Sequence, residues 1–426
     1  MNKTATRFGI LGAIELKRIM IGSLLIILVA LTGCQAETPD DELNGTVTLW
    51  HSWSPAEATV LGETLAGFEQ LHPKVRIIPV ALPENQIFEE FVDAGNDGLG
   101  PDVLLGKDSW IGELADAGLI RSLQLTQADK SLFNSRNRSL TEYNGELYGV
   151  PLFLAPRALY YNKSMVTELP ANLDALLEEA AEGNSIAFVP RFEEAYWGIQ
   201  AFGDGLFDSQ GQFKLAESGF SDWLAWISEA QRSPGVILNE DDTSLMELFA
   251  SGQIAYYVAG PKKQNDITAL LNMADPFEFG VIPLPSGPIG PAGPLLPAET
   301  ILLYAYTSDA QTRIADSLAR FLVNQQQSIR FMREIDQVPA NPSVVVDRRI
   351  YPIVSGFARQ ADTAVVIPNE ISTDPLVAAG NRAYISVLSG ALTPDEAVCR
   401  FGQEVADFQG YAADDIELPE GCVPPE

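Results

Sequence analysis

The stretch Thr46–Val80 constrains the fold more than any other part of the chain, because its hydrophobic period changes twice within it. Thr46-Val47-Thr48-Leu49-Trp50 alternates polar and apolar side chains, the period of a strand. Ser54-Pro55-Ala56-Glu57 follows as a capping box, with proline at the first helical position. Leu61, Leu65, Phe68 and Leu71 then recur at helical spacing and form one apolar stripe. Pro73 ends that helix, and Val75-Arg76-Ile77-Ile78-Pro79-Val80 returns to a strand. The segment is a β-α-β unit, the sign of an α/β protein. His51-Ser52-Trp53 falls at the carboxyl end of its first strand. Open α/β sheets bind ligands at that end, beside helix N-termini that offer free N–H groups.

A second unit repeats the arrangement. Asp102-Val103-Leu104-Leu105 reads as a short strand and Gly106-Lys107-Asp108-Ser109-Trp110 as the loop after it. Ile111, Leu114 and Ala115 then face a core, with Gly118 as the helix stop. From Gly100 to Gly106-Lys107 the segment comes close to a phosphate loop. It has one residue too many between the glycines, and Asp108 stands where Ser or Thr would hold magnesium. The nucleotide reading is therefore rejected. Hydrophobic residues make up 46% of the 426-residue chain and charged ones 20%, enough apolar material for a large core in two or three units.

The head of the chain sets the compartment. Lys3, Arg7, Lys17 and Arg18 precede the apolar run Ile19–Ala30, which leads into Leu31-Thr32-Gly33-Cys34. A basic head, a short apolar stretch and a small-residue cut site describe an export signal. The last four residues resemble the bacterial lipobox, in which the cysteine is lipidated and becomes the new N-terminus. A single membrane anchor with an incidental cysteine is the alternative. Residues 35–45 are polar and acidic and read as a tether. Cys399 and Cys422 are then left, and exported proteins keep disulfides, so the pair is expected to close the C-terminal tail. Two free thiols are the alternative. His51 and His72 are the only histidines and lack partners at metal-ligand spacing, so no metal is expected. Without residues 1–33 the chain holds 23 basic and 56 acidic residues, a net charge of −33. Such a surface argues against nucleic acid.

Beyond these units, a series of short motifs occurs in order along the chain. They are Trp50-His51-Ser52-Trp53, Phe68-Glu69-Gln70-Leu71-His72-Pro73, Gly100-Pro101-Asp102-Val103 and Glu113–Leu119. Tyr148-Gly149-Val150-Pro151, Leu159–Lys163, Phe249-Ala250-Ser251-Gly252, Ala259-Gly260-Pro261, Leu388-Ser389-Gly390 and Asp395-Glu396-Ala397 complete the series. In this order and spacing they resemble the extracellular solute-binding proteins of sugar-uptake ABC transporters, the maltose-binding-like family. The resemblance runs from about residue 45 to 410.

It implies a two-lobed periplasmic-binding-protein fold, each lobe a sheet flanked by helices, with the ligand cleft between them. Residues 46–154 and 286–338 are assigned to the first lobe, and 155–285 and 339–426 to the second. Chain crossings are expected near Pro151–Arg157, Ile282–Pro285 and Val338–Pro342. The partners implied are a small solute of the sugar class, a membrane ABC permease and, through Cys34, the membrane itself. A monomer outside the cytoplasmic membrane, without catalysis and without a cofactor, is expected.

Sugars present apolar C–H faces to aromatic rings and hydroxyls to polar side chains. The expected ligand residues are His51, Ser52, Trp53, Lys107, Asp108, Ser109, Arg157, Tyr196, Trp197 and Lys262. Trp223 and Trp226, with Phe220 and Ile227, read as a packed helix face. Two departures from the family bear on the solute. Lys262-Lys263 stand where Gly260-Pro261 is often followed by a sugar-stacking tryptophan, and Asp374-Pro375-Leu376 lacks an aromatic. A short oligosaccharide or polyol fits better than a maltodextrin. An exported carbohydrate-active enzyme, using carboxylates such as Glu193-Glu194, is the rival class. A sensing lipoprotein that feeds a receptor is a third.

Overall fold

The computed structural model describes residues 42–123, 126, 129, 132, 134–208, 211–273, 276–410, 418–419 and 422. Cys34 and the export signal lie outside them. The chain divides into two compact units, residues 1–44 and 45–426. Only Glu42–Asn44 of the first are described, in irregular backbone.

The larger unit is built on two sheets. The first contains β1 (Gly45–His51), β2 (Val75–Ala81), β3 (Val103–Lys107), β6 (Val150–Leu154), β12 (Ala298–Leu303) and β13 (Val338–Pro339), in the order β13-β6-β12-β3-β1-β2. β1 pairs in parallel with both β2 and β3, while β12 runs antiparallel between β3 and β6. The expected β-α-β unit is present. Ser54 and Glu57 close the capping box over the helix Pro55–Leu71, which buries Leu61, Leu65 and Phe68. β4 (Glu142–Tyr143) and β5 (Glu146–Leu147) pair with each other as a small separate hairpin. The second sheet holds β7 (Ala158–Asn162), β8 (Ile186–Phe188), β9 (Val236–Leu238), β10 (Tyr256–Ala259) and β11 (Phe279–Ile282), ordered β11-β7-β10-β8-β9.

Sheet membership dates the crossings. Ala155-Pro156-Arg157 joins β6 of the first sheet to β7 of the second, where the turn-like Leu-Ala-Pro interrupts the strand pattern. The return occurs later than residue 286. Ile289 N donates to Ala201 O and Gly293 N to Trp197 O, so the Gly/Pro-rich run 286–294 packs on the second lobe. The chain re-enters the first sheet only at Ala298. A run of glycine and proline fixes a loop but not the surface the loop lies on. β13 makes the third crossing, after which the helices Pro352–Gln360, Thr373–Leu388 and Pro394–Gln409 follow.

One apolar cluster contains Leu154, Ala298 and Val338 from the first sheet and Tyr160, Ala259 and Val281 from the second. The two sheets therefore share a core beneath the crossings. The last helix is tied to the tail by a Cys399–Cys422 disulfide, with Cα atoms 5.4 Å apart.

Candidate functional site

The carboxyl ends of β3, β8, β9 and β10 and the two crossings surround a cavity of about 380 Å³. Lys107, Asp108 and Ser109 come from the end of β3, and Arg157 from the first crossing. The helix starting at Phe192 supplies Glu193 and Glu194. Asp242 opens the helix after β9, and Lys262 and Lys263 follow β10. Leu295, Leu296 and Pro297 form an apolar strip from the second crossing. Asn369 closes another side, its amide donating to the Leu140 and Glu142 carbonyls of the first lobe.

The local backbone explains this exposure. Gly106 has no Cβ, and one placed there would lie 2.7 Å from the Trp110 ring. Trp110 therefore folds back over β3 and stacks obliquely on Phe88, 5.1 Å between centroids. Lys107, Asp108 and Ser109 are left facing the cavity.

Charges in the cavity largely pair with one another. Arg157 meets Glu194 at 3.0 Å and Lys263 meets Asp242 at 2.8 Å. Asp108 Oδ1 accepts from Ala298 N at 2.9 Å, joining the end of β3 to the start of β12. Burial pushes the Asp108 carboxyl up to about 7, against these backbone N–H groups and Lys107. Dehydration within the cleft, and then the neighbouring Glu194, also raise Glu193.

A second cavity of about 270 Å³ adjoins the first, and Pro261 and Lys262 line both. Ser52, Trp53, Glu57, Glu84, Gln264, Glu299 and Asp336 are among its walls. The Trp53 indole N–H donates to Glu299. Its ring packs between Phe153 and Phe331, each 5.6 Å away, so only 9% of the residue is exposed. Burial holds the Glu299 carboxyl at about 7, with Lys262 and the Trp53 N–H opposing. Among the described residues no three His, Cys, Asp or Glu side chains converge to hold a metal.

Comparison with known proteins decides the family. Residues 63–350 match the family described as bacterial extracellular solute-binding protein. The chain belongs to that family. This solute-binding protein is 24% identical over 358 residues to the galactooligosaccharide-binding protein of Bacillus subtilis (strain 168), covering 79% of the chain and 83% of the relative. It is also 24% identical over 320 residues to the maltodextrin-binding protein MdxE of the same organism, covering 68% and 74%. The crystal structure of a cyclo/maltodextrin-binding protein complexed with maltotetraose superposes with a TM-score of 0.73 at 23% identity, covering 85% of this chain and 97% of that one. These named relatives are binding proteins.

Of the ligand residues expected from sequence, the solute-binding protein brings Lys107, Asp108, Ser109, Arg157 and Lys262 to the larger cavity. Ser52 and Trp53 line the smaller one. Three others are corrected. His51 is 3% exposed and lines neither cavity; its Nδ1 accepts from Trp53 N. Tyr196 and Trp197 are 0% and 1% exposed, in the core of the second lobe. The physical reason is helical phase. Phe192, Ala195, Tyr196 and Trp197 turn inward while Glu193 and Glu194 take the cavity side. Trp197 packs on Trp223 at 4.5 Å and on Phe188 at 5.7 Å.

Trp223 is fully buried, as its helix pattern predicts, and stacks on Trp226. Glu84, Glu299, Asp242, Lys263 and Asn369 were not expected at the site. Glu299 carried a signal, since it is the one charged residue of the otherwise apolar and Thr-containing strand β12.

Proposed function

We propose that this solute-binding protein captures a short oligosaccharide or polyol in the larger cavity and delivers it to an ABC permease. The observation that carries the reading is a cavity lined from both lobes by hydrogen-bonding side chains at the carboxyl ends of strands. Arg157 and Lys263 already have carboxylate partners, so the groups around the solute offer fixed donors and acceptors rather than bare charge. Hydroxyls suit such walls, and the Leu295–Pro297 strip suits a sugar's C–H face. Among the described residues, none that lines the larger cavity is aromatic. This favours a small, polar solute over a long glucan that stacks on rings.

The same reading places the mature protein outside the cytoplasmic membrane as a monomer, held by lipid on Cys34 through the tether 35–45. Binding, not bond cleavage, is the proposed activity. A thermal-shift screen of the chain from Cys34 onward tests it, using galacto- and malto-oligosaccharides, monosaccharides and polyols. A true solute raises the melting temperature with concentration by mass action on the folded state. No shift with any saccharide or polyol would sink the proposal, and hydrolysis of a bound glycan would move the protein to the enzyme class.

A further inference from the structure

We propose that Glu84 and Lys262 set the length of saccharide that the cleft accepts. This rests on the sugar-binding reading above. The two cavities share Pro261 and Lys262 as a common wall. Glu84, on the loop after β2 of the first lobe, reaches across to Lys262 of the second, with 3.4 Å between Oε1 and Nζ. The same oxygen stands 3.8 Å from Lys107, which lines only the larger cavity. One carboxylate thus holds a lysine from each lobe at the seam between the cavities.

With that bridge in place, a solute is confined to about 380 Å³. This is the low end of the roughly 300–1,000 Å³ typical of ligand pockets, and suits a mono- or disaccharide. Beyond the bridge the walls remain suited to hydroxyls. Ser52, Glu57, Gln264, Asp336 and Gln337 line the second cavity and offer hydrogen-bonding side chains.

The bridge is also built to yield. The side chains of Glu84, Lys107 and Lys262 are 52%, 56% and 61% exposed, and exposed ion pairs hold weakly. A chain too long for the first cavity must break the Glu84–Lys262 contact, and it loses affinity by the strength of that contact.

The test is calorimetric titration of the unaltered protein, Glu84→Ala and Glu84→Gln with di-, tri- and tetrasaccharides of the malto and galacto series. In Glu84→Ala the ratio of tetrasaccharide to disaccharide affinity should rise by about two- to fivefold, the upper part of what one exposed ion pair supplies. Glu84→Gln, which keeps the bulk and drops the charge, should fall between Glu84→Ala and the unaltered protein. Lys262→Ala should raise the same ratio whatever it does to disaccharide affinity. A ratio unchanged in Glu84→Ala, with its melting temperature intact, overturns the length selection alone. Failure of every saccharide to bind the unaltered protein overturns the sugar reading and this proposal with it.

Discussion

Asp108 and Glu299 make the cleft sensitive to pH, and the sign follows from where their protons sit. In the unfolded chain they ionise near 3.8 and 4.5, whereas in the folded protein burial raises both to about 7. Below about pH 3 both states hold these protons. Between about 4 and 7 the folded protein keeps protons that the unfolded chain has released, so stability falls as pH rises through that window. Above about 8 both states are ionised and the loss is complete. Each pKa unit is worth about 1.4 kcal/mol, which sets a ceiling of about 4.5 kcal/mol for Asp108 and about 3.5 kcal/mol for Glu299. Both side chains reach the open cleft, and solvent screening lowers this to about 1–2 kcal/mol each. Asp108→Asn and Glu299→Gln isolate the effect, because an amide oxygen can still accept from Ala298 N or the Trp53 indole. Urea midpoints from pH 5 to 8 should drop for the unaltered protein and drop less for each variant. At pH 8 each variant should be the more stable by about 1 kcal/mol. Equal slopes in all three proteins would refute the reasoning, since the general repulsion of a chain with net charge −30 would then account for the whole trend.

Three further outcomes follow from packing and covalent structure. Trp197→Ala should cost about 3–5 kcal/mol of stability in denaturant titrations yet leave solute affinity within about threefold at temperatures where the variant is folded, as for any large core residue. Cys399→Ser should lower stability by about 3 kcal/mol under oxidising conditions, and a reductant should bring the unaltered protein to the same midpoint. Cys34→Ala should move the protein from the membrane fraction to the soluble fraction or leave the precursor uncut, read by fractionation and lipid labelling.

The parts of this fold legible in the sequence are those governed by local rules. The period of Thr46–Trp50, the Ser54–Glu57 capping box and the stripe Leu61, Leu65 and Phe68 each act within one element and appear as expected, whereas Leu71, at the last position of the helix, is exposed. The loop 107–109 was legible because β3 is short, apolar and ends abruptly in polar residues. Tyr196 and Trp197 were misread because the backbone tightens from the α-helix Phe192–Ala195 into a 3-10 turn at Tyr196–Gly198. Both rings could then point inward, and Gly198 leaves the space that the Trp223 ring fills. Glu84 and Asn369 were invisible for another reason. Each sits in a loop, far in sequence from the residues it meets, and no local pattern marks a contact between lobes.

The cleft differs from the rest of the surface in a way that bears on recognition. Acidic residues exceed basic ones by 30 over the whole chain, yet among the described residues the larger cavity is lined by four cations and four carboxylates. A general negative field would treat all neutral solutes alike. A balanced set of donors and acceptors, two of its cations fixed by carboxylates at 3.0 Å or less, distinguishes them by hydroxyl orientation. A hydroxyl turned the wrong way leaves a cavity group unpaired, and that penalty exceeds what a missing apolar contact costs. Stereochemistry should therefore govern affinity here more than chain mass does. Epimers that differ at one hydroxyl should separate by tenfold or more, while added salt should change their affinities little, because the relevant pairs lie inside the cleft rather than on its rim.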